Sequence, residues 1–162
     1  MKKILVLSDT HMPKKANTLP DVLTKPLTEV DLIIHAGDWQ TTDVYEELKK
    51  YAPVIGVYGN VDSDPIKELV KDKEIIEVEG YEIGITHGHG ERGTTEKRVL
   101  GTFEKDELDM IIFGHSHLPY LKFYKKTLLF NPGSPTDKRK LPFYSYGLLT
   151  IDGGIEAKHV FF

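Results

Sequence analysis

Short apolar runs alternate with segments of helical periodicity along the first part of the chain. The apolar runs are continuous, which is typical of strands buried on both faces, and they lie at residues 4–7, 32–35 and 54–57. The other segments repeat apolar residues at helical spacing and lie at residues 18–30, from Thr41 or Thr42 to Tyr51, and at 65–70. The order strand, helix, strand predicts parallel pairing of the three strands.

After residue 73 the pattern becomes richer in strands. Residues 74–79 and 81–86 flank Gly80 and predict an antiparallel hairpin. A helix is predicted at residues 94–103 and another strand at 110–113. We interpret the remaining apolar segments as a terminal meander of strands at residues 120–124, 127–130, 145–151 and 156–161. Parallel strands followed by antiparallel strands predict two mixed sheets packed face to face, with helices outside.

The composition suits one domain spanning residues 1–162. A chain of this length with 40% hydrophobic residues buries about two-thirds of its unfolded surface around one core. The absence of cysteine excludes disulfides and thiolate metal ligands. The apolar start is too short for a secretory signal, and no run approaches the length of a membrane span. We therefore expect a cytoplasmic protein with no membrane partner.

The charge balance disfavours an extended nucleic acid as a partner. The chain has 21 basic and 25 acidic residues, whereas a protein that neutralises many phosphates usually carries a basic face. Its basic residues form only local clusters, at 14–15, 49–50, 125–126 and 138–140. We expect solvated surface at the first three. A solvated turn is the favoured interpretation of the last cluster as well, but it follows Asn131-Pro132-Gly133-Ser134, so contact with the mouth of a site is kept as the alternative.

Seven side chains capable of binding metal follow the predicted strands. They are Asp9, His11, Asp38, Asn60, His87, His115 and His117. In an open α/β sheet the carboxyl ends of strands border the ligand crevice, so these loops are expected to converge. A single histidine is more often a structural residue than a ligand, but convergence of five strand ends is hard to explain by packing alone.

The number and type of these side chains predict two divalent metal ions per chain. Seven ligands are too many for one four-coordinate ion, and imidazole with carboxylate suits Mn²⁺ or Ni²⁺ best, while Fe, Co or Zn would also fit. Asp38, central in the set, is the best candidate to bridge two ions. We expect His35 to be buried and hydrogen-bonded behind a ligand, and His159 to be structural.

The motifs occur in the order Asp-x-His, Gly-Asp, Gly-Asn, a single glycine-flanked histidine and Gly-His-x-His. This order resembles that of the calcineurin-like metallophosphoesterase superfamily. The size of the chain and Asn131-Pro132-Gly133-Ser134 resemble its small single-domain phosphodiesterases of the YfcE type. The resemblance covers nearly the whole chain and implies a four-layer αββα sandwich. It also implies a ligand division: Asp9, His11 and His117 on one metal, Asn60, His87 and His115 on the other, and Asp38 between them.

One position departs from that superfamily pattern. Many members have a histidine after Gly-Asn, which interacts with the leaving group or donates a proton to it, and this chain has Val61 there. The YfcE-type group commonly lacks that histidine as well. The next residue, Asp62, is a candidate to stabilise a turn or cap a helix ahead of Asp64-Pro65.

We expect metal-assisted hydrolysis of a phosphate ester by a metal-bridging hydroxide, and the resemblance implies that the ester is a small phosphodiester. The residues predicted to take part are Asp38, Asn60, His11 and His89, with Arg92 as a further candidate. A phosphomonoesterase or a nuclease would use the same ligands. A non-catalytic scaffold, such as the retromer subunit that resembles these enzymes, and a regulatory metal sensor are two competing hypotheses, and formation of a homo-oligomer stays open.

Overall fold

The computed structural model describes residues 1–162 as ten strands, four α-helices and one short 3₁₀ helix. The strands are β1 (Lys2–Leu7), β2 (Leu32–His35), β3 (Val54–Gly56), β4 (Lys73–Val78), β5 (Tyr81–Thr86), β6 (Met110–Ile112), β7 (Tyr120–Tyr124), β8 (Thr127–Asn131), β9 (Ser145–Ile151) and β10 (Ile155–Phe161). The helices are α1 (Thr24–Glu29), α2 (Thr42–Lys49), α3 (Asp64–Leu69) and α4 (Thr95–Thr102), and the 3₁₀ helix (Asp21–Leu23) directly precedes α1.

The strands form two five-stranded sheets. The first sheet has the order β10-β9-β1-β2-β3, and the second has the order β4-β5-β6-β8-β7. Strands β1, β2 and β3 run parallel in the first sheet, and β5, β6 and β8 run parallel in the second. The outer pairings with β9, β10, β4 and β7 are antiparallel. Both sheets are therefore mixed, as the sequence predicts.

Strand β1 shows how one apolar run serves two cores. Ile4 and Val6 point between the sheets and join a core cluster of 14 buried residues. Leu5 and Leu7 point to the other face of the first sheet and join a second cluster of 11 buried residues. Because successive side chains alternate across a strand, a strand buried on both faces needs an apolar residue at every position.

Helices cover the outer faces of both sheets. Leu27, Leu48 and Ile66, one from each of α1, α2 and α3, pack in the second cluster against the first sheet. Val99 of α4 packs against Ile111 and its neighbours in the second sheet. The layers follow the order helix, sheet, sheet, helix, which confirms the predicted α+β four-layer sandwich. No helix combines the length and the apolar character needed to cross a membrane.

Residues 18–30 do not form the single helix that their periodicity predicts. Pro20 has extended backbone angles, and the chain enters the 3₁₀ helix only after it. Pro26 lies in the first turn of α1, where a missing amide hydrogen leaves no bond unmade. The other predicted bounds agree with the structure to within two residues.

The prediction of one terminal meander was also wrong. The hairpin of β7 and β8 belongs to the second sheet, whereas the hairpin of β9 and β10 belongs to the first. The connection between Asn131 and Ser145 crosses from one sheet to the other and contains Pro132, Pro135 and Pro142, which cannot donate to a strand ladder. This crossing takes the connection past the loops that carry the predicted ligands.

Backbone hydrogen bonds join those ligand loops in pairs. The amide of Asp9 donates to the carbonyl of Gly37, and the amide of His11 donates to the carbonyl of Asp38, at 2.9 and 3.0 Å. In the second sheet the amide of Gly114 donates to the carbonyl of His87 at 3.1 Å. The loops after β1 and β2, and those after β5 and β6, are thus held side by side.

Candidate metal centre

Six of the seven predicted ligands gather in two groups where these loops meet. The first group is Asp9, His11 and His117, and the second is Asp38, His87 and His115. Within each group, one ligand atom of each side chain lies within 4.8 Å of the other two. Each group is composed of one carboxylate and two imidazoles.

In the first group, the His117 ring is fixed by the backbone behind it. Its Nδ1 donates to the carbonyl oxygen of Asp137 at 2.7 Å, which leaves Nε2 with a free lone pair. That Nε2 lies 3.5 Å from Asp9 Oδ1, and His11 Nε2 lies 3.7 Å from the same oxygen. The other oxygen of Asp9 accepts hydrogen bonds from Ser8 Oγ and the His115 amide, so Asp9 Oδ1 is the oxygen left for a cation.

The second group is built in the same way. His87 Nδ1 donates to the carbonyl oxygen of Ala36 at 2.8 Å, and its Nε2 lies 3.1 Å from Asp38 Oδ2. The His115 ring stands edge-on to the His87 ring, with centroids 5.3 Å apart. A Cβ atom at Gly59 would lie 2.7 Å from His87 Cδ2, so only glycine permits this close approach. Asn60 follows Gly59 directly, and its side chain is exposed at this edge of the group.

Asp38 lies between the two groups. Its Oδ2 is 3.1 Å from His87 Nε2 and 3.4 Å from His11 Nε2, and its Oδ1 accepts a hydrogen bond from the Val61 amide at 3.1 Å. One oxygen therefore faces both groups, while the other fixes the orientation of the carboxylate.

Four buried ligand atoms have no hydrogen-bond partner: Asp9 Oδ1, His11 Nε2, His87 Nε2 and His117 Nε2. A buried polar atom without a partner costs on the order of 1–3 kcal/mol, so such atoms are rare in folded proteins. All four are carboxylate or imidazole atoms, the donors that suit divalent transition metals. The residues present therefore fit bound divalent ions.

Electrostatic coupling keeps the carboxylates of the centre ionised. Burial opposes the charge of Asp9, yet His87 and the other imidazoles around it lower its pKa to about 2. Burial also opposes the charge of Asp38, but the neighbouring His87 imidazole lowers its pKa. For His87 the burial effect is outweighed by Asp9 and Asp38, which raise its pKa to about 9. His87 thus carries a proton at neutral pH until a cation replaces it.

The ligand loops also share a strained backbone. Five candidate ligands have positive φ angles between 45° and 69°: Asp9, His11, Asp38, His115 and His117. Non-glycine residues seldom adopt this conformation, which costs on the order of 1 kcal/mol or more per residue, and it concentrates at functional sites. At each of these strand ends the backbone therefore adopts a conformation that is locally unfavourable but orients the ligand.

His35 forms hydrogen bonds to the loops that carry Asp9 and Asp38. Its Nδ1 accepts from the Gly37 amide at 3.2 Å, which leaves Nε2 to donate to Thr10 Oγ1 at 3.0 Å. Its ring stacks on Trp39 with centroids 3.8 Å apart. Burial lowers the pKa of His35 to about 3, so the ring stays neutral. The residue lies where the sequence predicts, buried and hydrogen-bonded behind the ligands.

The connection at residues 131–137 contributes support that the sequence motifs do not reveal in full. Ser134 Oγ donates to the Asp9 carbonyl, Thr136 Oγ1 donates to the Thr10 carbonyl, and the Asp137 carbonyl accepts from His117. Asn131 Nδ2 donates to the Gly114 carbonyl at 3.0 Å. The Asn131-Pro132-Gly133-Ser134 stretch is a recognisable motif, but Thr136 and Asp137 belong to no pattern that indicates their role.

His89 and Arg92 lie in the exposed loop beside the second group. The His89 ring centroid is 5.5 Å from that of His87 and 6.5 Å from that of His115. Burial and the nearby His87 lower the pKa of His89. Arg98, which no sequence motif indicates, holds this loop by donating to the carbonyls of Gly88 and Gly93 at 2.9 and 2.8 Å.

Val61 and Asp62 have separate surroundings. The Val61 side chain is 42% exposed at the edge of the centre. The carboxylate of Asp62 is buried and accepts backbone amides from Asp38, Gln40 and Gly59 at 2.9, 2.6 and 2.7 Å. Asp62 therefore stabilises the turn, while the N-cap position of α3 belongs to Ser63.

The fold and the centre are those expected of a metal-dependent hydrolase of phosphoric esters. The family model described as the calcineurin-like phosphoesterase superfamily domain matches residues 1–154. The chain belongs to this superfamily, which confirms the family that the sequence motifs indicate and implies divalent metal cofactors. A probable metallophosphoesterase of Methanothermobacter thermautotrophicus is 39% identical over 152 residues, covering 91% of this chain and 85% of the relative.

Solved structures share the fold along the whole chain. Entamoeba histolytica Vps29 in complex with Zn²⁺ matches with a TM-score of 0.76 and 24% identity, covering 98% of each chain. A structure described as a novel archaeal phosphodiesterase matches with a TM-score of 0.75 and 23% identity, covering 99% of each chain. At these identities the likeness concerns the fold alone.

Proposed function

We propose that the protein is a phosphodiesterase that holds two divalent ions, with Asp38 bridging them. The observation that carries the proposal is the position of Asp38 Oδ2, within 3.4 Å of imidazole nitrogens from both groups. The seven ligands, with Asn60 completing the second group, are enough to hold two ions. They also leave a coordination position on each ion open for substrate. The resemblance of the motifs to small single-domain phosphodiesterases favours a diester, and a protein described as an archaeal phosphodiesterase has the same fold.

Two divalent ions bound at such a centre polarise the phosphoryl oxygens and lower the pKa of the attacking water. The residues of the chain supply orientation. Carbonyl oxygens of Ala36 and Asp137 fix the rings of His87 and His117, and the Val61 amide fixes Asp38. Asn60, exposed at the edge of the second group, is assigned to the second ion and to substrate. His11 stands partly exposed beside the carboxylates of Asp9 and Asp38, and we assign it to assist at the phosphoryl group of a bound substrate.

The exposed loop beside the second group supplies the remaining assistance. His89 is the residue that we assign to contact the phosphate or the leaving group, and Arg92 is the further candidate from the same loop. Because His115 and His87 both border His89, a phosphoryl group held at the second group would lie near its ring. Arg98 acts on substrate only through the loop that it holds.

The test combines metal analysis with hydrolysis. Protein stripped by a chelator and reconstituted with Mn²⁺, Ni²⁺ or Mg²⁺ is analysed for bound metal. It is then assayed with bis(4-nitrophenyl) phosphate and 4-nitrophenyl phosphate. We expect two ions per chain and a preference for the diester. Mn²⁺ or Ni²⁺ should activate more strongly than Mg²⁺, because imidazole-rich sites favour borderline metals.

Two matched variants sharpen this test. His117→Ala removes a ligand of the first group and His87→Ala removes one of the second, so each is expected to retain one ion. A wild-type protein with one ion or none, and hydrolysis that survives the chelator, would contradict the proposal. A faster reaction with the monoester would favour a phosphomonoesterase, and metal binding without hydrolysis of either ester would favour a scaffold or a sensor.

A further inference from the structure

A depression of about 420 Å³ adjoins the first group. Its wall includes His117, a member of the first ligand group. Leu118, which is 51% exposed, and Leu141 supply apolar surface. The volume lies within the range of about 300–1,000 Å³ that small-molecule sites occupy. The depression is therefore large enough for part of a substrate.

Three consecutive cations, Lys138, Arg139 and Lys140, border this depression. The Leu141 amide donates to the Lys138 carbonyl at 3.0 Å, which places Arg139 and Lys140 at the centre of a tight turn. Arg139 has a φ of 51°, a conformation that an arginine adopts only at a cost. Two positive side chains are thus presented at the mouth of the depression by a turn that the sequence does not favour locally.

This turn is anchored to a metal ligand. Asp137, directly before it, accepts a hydrogen bond from His117 Nδ1 through its carbonyl oxygen. The carboxylate of Asp137 faces Lys15 at 3.9 Å and His117 at 3.8 Å, and it forms no ion pair with the cations of the turn. No carboxylate lies within 4.0 Å of the cationic groups of Lys138, Arg139 or Lys140. Lys138 instead lies over the ring of Tyr144, 5.0 Å from its centroid.

We propose that this depression is a substrate subsite, in which Arg139 and Lys140 bind a second phosphate carried by one alcohol group of the diester. An apolar part of that alcohol would lie against Leu118, between the second phosphate and the phosphoryl group at the metal centre. Unpaired cations on a chain with a net charge of −4 attract an anion to this side of the centre. The inference rests on the proposed phosphodiesterase function and names the class of diester that it would prefer.

The experiment compares two diesters with the same leaving group. They are thymidine 5′-(4-nitrophenyl phosphate) and the same compound with a 3′-phosphate, assayed with the Mn²⁺-loaded protein at low salt. We expect the 3′-phosphate to lower the KM of the wild-type protein by about tenfold. The double variant Arg139→Gln, Lys140→Gln should lose most of this preference.

Lys125→Gln, Lys126→Gln is a matched control. These residues form the turn at the opposite end of β8, both are exposed, and Lys125 also has a positive φ, of 53°. The control removes the same charge and should keep the preference. The inference is overturned if the wild-type protein shows no preference, if the Arg139 and Lys140 variant keeps it, or if the control loses as much.

A calorimetric measurement separates this inference from the proposed function. If neither diester is hydrolysed, the phosphodiesterase proposal fails, and binding of thymidine 3′,5′-bisphosphate is compared with that of thymidine 5′-phosphate. Tighter binding of the bisphosphate by the wild-type protein, lost in the Arg139 and Lys140 variant, upholds the subsite. Equal binding of the two nucleotides overturns it.

Discussion

Ser134 Oγ donates a hydrogen bond of 2.8 Å to the backbone carbonyl of Asp9, a residue 125 positions earlier in the chain. The same hydroxyl accepts the amide of Asp137 at 2.8 Å, and the Asp137 carbonyl in turn holds His117. One buried hydroxyl therefore links the two ends of the first ligand group. In the second group, His87 is held by Ala36, within the loop that carries Asp38, and needs no such link.

We predict that Ser134→Ala weakens binding of one metal ion selectively. The variant leaves the Asp9 carbonyl and the Asp137 amide without their partner, which costs about 1–3 kcal/mol of unfolding free energy. Loss of support behind ligands typically reduces metal affinity by about 10–100-fold, and here that loss should fall on the first ion. Competitive metal titration measures both ions. Thr127→Val removes a similar hydrogen bond, to the Leu108 carbonyl at the far end of β8, and should leave both affinities unchanged.

Asp38→Asn should damage both ligand groups together. Because Asp38 Oδ2 faces both groups, an amide there removes a negative charge from each proposed ion, and activity should fall by more than about 100-fold. His11→Ala should cost less, because His11 belongs to one group. Metal content and hydrolysis rates of the two variants test this order, with circular dichroism to check folding. Two ions and near-normal turnover in Asp38→Asn would exclude the bridge.

Metal binding at the second group should release a proton. Asp9 and Asp38 raise the pKa of His87 to about 9 despite its burial, so the metal-free protein holds this imidazole protonated at pH 7. A ligand must be neutral, so the apparent affinity should rise about tenfold per pH unit up to about pH 9 and then level off. Calorimetric titration in buffers of different ionisation enthalpy counts the protons. Binding at pH 7 without proton release would show that His87 is already neutral.

The candidate ligands could be chosen from the sequence because each of them follows a predicted strand. Asp9 and Asp38 each follow a continuous apolar run, and the parallel pairing of β1 with β2 brings the carboxyl ends of these strands to one edge. The grouping of His117 with Asp9 cannot be deduced from strand pairing, because the two residues come from different sheets. The resemblance of the motifs to a known family supplied that grouping, and the structure brings the same side chains together.

The supporting residues were not predictable for a physical reason. Thr136 and Asp137 act through one hydroxyl and one backbone carbonyl, and neither requires a recognisable residue type or spacing. The crossing between sheets after Asn131 also escaped prediction, because apolar periodicity reports burial and not which sheet a strand joins. The strained turn at Arg139 likewise depends on contacts distant in sequence.

Val61 stands at the position where many members of the superfamily have a histidine that can protonate the leaving group. Its side chain is 42% exposed, and its amide bonds to Asp38, so the residue borders the centre without filling the core. Proton donation is typically worth about 10²–10⁴-fold, and valine cannot provide it. We therefore expect the rate to fall steeply as the pKa of the leaving alcohol rises. Aryl diesters should react well and alkyl diesters slowly.

Two variants distinguish the possible donors. Val61→His introduces an imidazole beside Asp38 and should raise turnover mainly for poor leaving groups, so the dependence on leaving-group pKa becomes shallower. His89→Ala should leave the wild-type slope unchanged. Burial and His87 lower the pKa of His89, which favours the neutral ring and disfavours proton donation. The measurement is the rate against leaving-group pKa, at pH 6 and pH 8, for the three proteins. A flat dependence in the wild-type protein that steepens in His89→Ala would assign the proton to His89 and contradict our account of Val61.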